Sequence, residues 1–228
     1  TELVGRLVDD QFSHRSKDSL AKADFALHSG GAVVIPSLTS PTLRSNPRGL
    51  WALWGKLTFG NDNLLECSPT TALHHEIHNG HCWPFAGAEG QLAVTLAHPV
   101  VIEEIAIDHV VREVAWDTRS APRKMELWGL AEGVENLAKM RKWEEQEART
   151  RDDQTRKEVY PSTLPSSSKY MRIASFEYNI DAQDNVQTFP LPRNIRELGI
   201  DFGVVMLRIM SNWGREFTCL YRMRVHGK

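Results

Sequence analysis

The closing block of the chain constrains its fold most. Phe217, Cys219, Tyr221, Met223 and Val225 recur at every second position within Phe217-Thr218-Cys219-Leu220-Tyr221-Arg222-Met223-Arg224-Val225-His226-Gly227. Successive side chains of a strand point to opposite faces, so this spacing puts the five on one face of a β-strand. Just upstream, Leu207-Arg208-Ile209-Met210-Ser211 is a second apolar strand pattern, and Asn212-Trp213-Gly214 between the two has turn chemistry. The pair predicts a closing β-hairpin in which a thiol and a phenol, two residues apart, serve one site. A second cysteine, Cys82, stands in the aromatic block Asn79-Gly80-His81-Cys82-Trp83-Pro84-Phe85.

Strand patterns also occur at 91–97, 100–110, 124–130, 170–178, 186–191, 204–210 and 217–226, with turn residues between them. Short strands at this spacing with few helical periods predict an all-β chain, an antiparallel β-sandwich. The 228 residues, 41% of them hydrophobic, are enough for one substantial core. A formal net charge of −2 offers no basic field for nucleic acid or an anionic membrane, which sets nucleic acid aside as a partner. No segment has the length of a transmembrane helix, and the chain opens at Thr1 without a signal-peptide pattern, as an excised soluble fragment would.

Three segments depart from the strand pattern. Over residues 1–22 the apolar stripe Leu3, Leu7, Val8, Phe12 and Leu20 predicts a short helix. From about 33 to 62 the chain is rich in Pro, Ser, Gly and aromatics, and Trp51 and Trp54 fit a hairpin that waits for a partner to cover it. Residues 132–168 form a charged insertion in which Glu135/Lys139, Glu145/Arg149, Glu147/Arg151 and Asp153/Lys157 place acid before base at i,i+4. That spacing supports an exposed, solvated helix.

Two polar constellations invite chemistry. In Leu73-His74-His75-Glu76-Ile77-His78-Asn79-Gly80-His81-Cys82 a metalloprotease zinc motif starting at His75-Glu76 needs histidine at position 79, which is Asn79. Asn79-Gly80 also breaks any helix that could present two histidines on one face. His109 and Ser120 lack both an orienting acid and a Gly-x-Ser-x-Gly elbow, so no hydrolase constellation exists and the chain is not read as an enzyme. Composition alone leaves Cys67, Cys82 and Cys219 as three reduced core residues.

Three blocks together resemble a known family. Ala23-Asp24-Phe25-Ala26-Leu27-His28-Ser29-Gly30-Gly31-Ala32, Asn79-Gly80-His81-Cys82-Trp83-Pro84-Phe85 and the run from Ser211-Asn212-Trp213-Gly214 to Gly227 look like the SUN domain of the Sad1/UNC family, in family order. SUN domains are luminal receptors of the inner nuclear membrane, and the chain resembles a fungal-type member. The resemblance implies a galactose-binding, discoidin-like β-sandwich over residues 23–228, and a stalk-proximal helix over 1–22 next to a trimeric coiled coil. It implies a lid at about 33–62 and a cation loop at about 66–82.

The expected chemistry follows from the same resemblance. In the oxidising perinuclear lumen Cys82 and Cys219 form a disulfide and Cys67 is left over. The loop wraps a monovalent cation, potassium, mainly with backbone carbonyls around Glu76, Asn79, His81 and Tyr221, and no organic cofactor is implied. His109, Ser120, Phe217 and Tyr221, with Trp51 and Trp54 of the lid, line the site for the C-terminal peptide of a KASH protein. Phe217 replaces a carboxylate-contacting tyrosine of the family, and Thr39 stands where animal members often carry a lid cysteine. The implied assembly is a homotrimer, membrane-anchored outside this fragment, that forms the LINC bridge across the nuclear envelope and serves nuclear positioning. A glycan-binding β-sandwich module and a SUN-like domain in membrane-protein quality control are the alternative readings.

Overall fold

The alternation seen in the sequence becomes paired sheet wherever one face of a strand finds apolar cover. The computed structural model describes residues 22–43, 67–115, 117–150, 160–165 and 169–228. The helix expected over 1–22, the lid tryptophans Trp51 and Trp54, and most of the lid lie outside these residues. The strands are β1 (Val33–Val34), β2 (Trp83–Ala86), β3 (Gly90–Val100), β4 (Ile102–Asp108), β5 (Lys124–Ala131), β6 (Tyr170–Glu177), β7 (Val186–Pro190), β8 (Phe202–Ile209), β9 (Phe217–Leu220) and β10 (Arg222–Gly227). Helix α1 (Gly133–Thr150) follows β5, and the short α2 (Arg193–Glu197) precedes β8.

The strands form a five-stranded sheet in the order β1-β3-β8-β5-β6, a three-stranded sheet β10-β4-β7 and the pair β2-β9. Every pairing is antiparallel. Leu92, Val94, Leu127 and Leu207 of the large sheet meet Ile105, Ile107, Met223 and Val225 of the small one in a single buried cluster. Two sheets sharing one core are a β-sandwich, as the strand spacing predicts.

The closing hairpin does not form. β8 already has β3 on one edge and β5 on the other, so both of its hydrogen-bonding edges are occupied. The turn at Asn212 therefore carries the chain away from the five-stranded sheet, and β9 pairs with β2 while β10 pairs with β4. The Asn212 side chain holds that turn by donating to the Arg215 and Phe217 carbonyls at 2.9 and 3.1 Å, while Gly214 N–H donates to Asn212 Oδ1 at 2.9 Å. Gly214 adopts φ 109°, a conformation that costs a side-chain-bearing residue strain. Nor do the five alternating residues share one face throughout. Phe217, Cys219 and Tyr221 pack in a small satellite cluster, whereas Met223 and Val225 join the main core with Leu220. The strand breaks at Tyr221, between β9 and β10, and the break changes the phase.

The charged insertion is less solvated than its composition suggests. Met140 of α1 is buried, Trp143 packs against the core, and the Asn136 amide donates to Asp201 Oδ1 at 2.9 Å. Farther on, Tyr160 meets Trp128 edge-on at 5.9 Å, and Leu164 is buried with Trp128, Tyr170 and Met206 on the outer face of the large sheet.

Candidate functional site

Cys82 immediately precedes β2, whose Pro84 is opposite Cys219 of β9. That register brings the two Cα atoms to 5.6 Å, and a disulfide joins them across 137 residues. In the chain-entropy account a cross-link over so long a loop contributes about 5 kcal/mol. Cys67 is free and half-buried, its Sγ 3.9 Å from the Gly80 carbonyl.

The disulfide pins one end of the loop 67–82. A 3₁₀ turn, Pro69–Leu73, buries Thr71, Ala72 and Leu73 and anchors the other end. Between these ends the loop is tied to its surroundings by single bonds. Asn79 Nδ2 donates to the Val114 carbonyl at 2.6 Å, and Gly80 N–H donates to Tyr221 Oη at 3.4 Å. Arg222 donates to the His75 carbonyl at 3.4 Å. His78 stacks on His81 at 4.5 Å and His74 on His28 at 5.4 Å. Burial, followed by the neighbouring His28, His81 and His75, holds His74 below the usual imidazole pKa. Glu76 is exposed, and among the described residues no three His, Cys, Asp or Glu side chains converge as a metal-ligand set.

Beside the loop lies His109, the first residue after β4. Its backbone N–H donates to the Asn185 carbonyl at 3.0 Å, and its own carbonyl accepts from Asn185 Nδ2 at 2.6 Å. Tyr178 Oη donates to the same Asn185 carbonyl at 2.9 Å, and burial raises the Tyr178 pKa far above the usual phenol range. The imidazole is only 4% exposed and packs edge-to-face on Tyr221 at 4.5 Å. Its Nδ1 lies 3.1 Å from the Val110 carbonyl, and its Nε2 is buried without a partner. Burial lowers the His109 pKa, which keeps the ring neutral near pH 7. A cleft of about 1100 Å³ opens here, lined by Ile77, His78 and Asn79, by residues 109–114 and by Tyr178 with residues 180–186.

Ser120 closes a 3₁₀ turn, Thr118–Ser120, that Asp117 caps by accepting from Arg119 N–H at 2.9 Å. The turn packs on β9. Ser120 is buried, and its hydroxyl donates to the Asp117 carbonyl at 3.1 Å. Hydrogen bonding from Arg119, opposed by burial, holds the Asp117 carboxyl below its usual range.

Phe217 and Tyr221 thus meet at the disulfide with Val110, Ile77 and Ala115, and His109 packs on Tyr221. Ser120 sits on the adjoining turn with its hydroxyl engaged locally, and Trp51 and Trp54 lie outside the described residues. The sequence reading missed the cleft wall at 178–188, since Tyr178 and Asn185 reach His109 only through tertiary pairing. It also missed a buried ionic network beneath the loop. Arg222 pairs with Asp24 at 2.9 Å, Arg224 Nε donates to Asp108 at 2.8 Å, and Asp24 Oδ1 accepts from Val225 N–H at 3.1 Å. The signal available was two arginines, Arg222 and Arg224, alternating within an otherwise apolar closing strand.

Known proteins resemble the chain at both levels. The sequence model of the family described as Sad1/UNC-like C-terminal matches residues 63–157 and 154–228. SUN domain-containing protein 3 of Homo sapiens is 28% identical over 100% of this chain and 53% of its own length, and the Mus musculus protein of the same name is 30% identical over 92% and 54%. SUN domain-containing protein 2 of Mus musculus is 28% identical over 100% of this chain and 26% of its own length. The chain spans about half the length of the first of these relatives. These relatives are mammalian, so the fungal-type expectation draws no support from them. Among solved structures, the family 32 carbohydrate-binding module of Streptococcus pneumoniae EndoD superposes with a TM-score of 0.49 at 12% identity, over 90% of this chain and 100% of that one. Allantoicase of Saccharomyces cerevisiae gives 0.49 at 13%, over 92% and 44%. Neither likeness is close enough to inform the site.

Proposed function

The chain belongs to the Sad1/UNC-like C-terminal family and carries a SUN domain, and from that premise we propose that it is a luminal receptor for the C-terminal peptide of a KASH protein. In this reading the domain faces the perinuclear lumen, assembles as a homotrimer and forms one half of a LINC bridge that links nucleus to cytoskeleton. The peptide lies extended against the lid and gains main-chain hydrogen bonds, and its free carboxylate enters at Ser120 and Tyr221 beside His109. Three such sites in one trimer hold a load together. A potassium ion in the loop 67–82, held by backbone carbonyls next to Tyr221, stiffens the wall of the site.

What supports this reading is that Tyr221 and Phe217 pack with the Cys82–Cys219 disulfide while His109, which lines the cleft, packs on Tyr221. Residues from the middle and the end of the chain are locked together there, which an incidental packing cluster does not need. The test is light scattering of the protein with and without a proline-rich peptide ending in a free carboxylate. A trimer mass that increases by three peptides supports the reading. A monomer that ignores the peptide contradicts it.

A further inference from the structure

The charged insertion ends in a turn that lines neither the cleft nor the disulfide. Leu164 N–H donates to the Pro161 carbonyl at 3.0 Å, and Tyr160 Oη donates to the Pro165 carbonyl at 3.1 Å. The turn lies on the outer face of the five-stranded sheet, where Leu164 is buried with Ala93 of β3, Trp128 of β5, Tyr170 of β6 and Met206 of β8. Four strands of one sheet thus present an apolar strip away from the main core, and apolar surface of that kind needs cover. Ile35 and Leu38 pack on the same strip.

These two residues reach it by an irregular path along the edge of β3. Ile35 N–H donates to the Ala93 carbonyl at 2.8 Å, and a 3₁₀ turn, Pro36–Leu38, then interrupts the ladder. Beyond the turn, side-chain hydroxyls stand in for backbone acceptors. Ala93 N–H donates to Thr39 Oγ1 at 3.1 Å, and Gln91 N–H donates to Ser40 Oγ at 3.0 Å. The Leu38 carbonyl, turned out of the ladder, accepts from Gln91 Nε2 at 2.9 Å. A carbonyl only accepts, so this bond fixes which way the Gln91 amide faces. Its Oε1 is turned to Thr163, whose hydroxyl donates to it at 2.6 Å. One glutamine therefore carries the end of the insertion to the start of the region expected as the lid.

We propose that residues 160–165 are a clip that positions residues 35–43, the described start of the expected lid, and that Gln91 is the positioning residue between them. The bearing of the clip on ligand binding rests on the reading of this region as a peptide lid. Leu164 shares the apolar seat of Ile35 and Leu38, while Thr163 holds the Gln91 amide against the Leu38 carbonyl. The insertion thereby gains a task that its charged, solvent-facing sequence does not suggest: it sets how firmly the lid starts from the sheet.

The test is hydrogen exchange of the free chain read by mass spectrometry, with peptide binding as a second readout. Thr163→Val removes the hydroxyl and keeps the shape. Amides of residues 35–43 are then expected to exchange about fivefold faster, while those of β4 and β10 in the other sheet are unchanged. Thr163→Ser should restore the slow rate, and in a Gln91→Ala background Thr163→Val should add nothing. An unchanged rate at 35–43, a rate that rises equally in β4 and β10, or a full effect of Thr163→Val without the Gln91 amide overturns the proposal. In calorimetry with a free-acid peptide, Thr163→Val should bind more weakly than Thr163→Ser; equal affinities overturn the link from clip to ligand. If the unaltered protein binds no peptide, the receptor reading fails by itself, and the exchange rates still decide the clip.

Discussion

Tyr221 links the loop 67–82 to His109: its Oη accepts from Gly80 N–H, its ring packs on His109, and two residues before it stands the disulfide partner Cys219. Its O–H proton remains available as a donor, so Tyr221→Phe is expected to weaken peptide binding by about 1.5–3 kcal/mol, the range for a hydrogen bond to a charged group. Phe217→Tyr restores a donor and should leave affinity unchanged or tighter; calorimetry of both variants checks this. Asp108 is buried against Arg224, and removing its charge takes that carboxylate from a buried guanidinium. Asp108→Asn is therefore expected to destabilise the domain by about 3–5 kcal/mol in a urea melt. The pH dependence follows from His109 and His74, whose folded pKa values lie below the unfolded ones. The unfolded chain binds protons that the folded chain refuses, so stability is full above roughly pH 6.5 and declines as pH falls below it. Melting temperatures from pH 7 to pH 5 should fall, and fall less in His109→Phe; a flat profile contradicts the assignment.

Elements differ in how legible they were. β3 through β8 follow from apolar alternation because each has one face on the shared core, as Leu92 and Val94 do in β3. β2 was not read as a strand, since Trp83-Pro84-Phe85 has no alternation and is buried on both faces. The hairpin at Asn212 was misread because turn chemistry is local, whereas the strand that follows is chosen by which edges are still open. At the site, Tyr221 was legible from the alternation it shares with Cys219, and the role of His109 only from the family resemblance. The wall at Tyr178 and Asn185 and the tie from Asn79 to Val114 were not, because those contacts join residues far apart in the chain. The loop 67–82 makes the element-scale prediction. Under non-reducing conditions peptide mapping should recover Cys82 joined to Cys219, with Cys67 open to alkylation. A Cys67-containing bridge contradicts the assignment. Exchanging potassium for a bulky organic cation should lower the melting temperature if the ion stiffens this loop, and leave it unchanged if the loop holds none.

For the whole molecule, two antiparallel sheets fix one core, and the first and last described segments close over it where Phe25 N–H donates to the Val225 carbonyl at 2.8 Å. The Asp24–Arg222 pair sits at that same junction, and Arg222 reaches on to the loop carbonyl of His75. The segment at Asp24 and the loop 67–82 therefore share one buried arginine. Capture of a peptide by its free end is what calorimetry with one peptide in two forms reads most directly. The free-acid peptide should bind, and amidating its terminus or adding one residue should abolish measurable binding, because a buried polar pocket is then left unpaired. Equal affinity for the acid and the amide would contradict it.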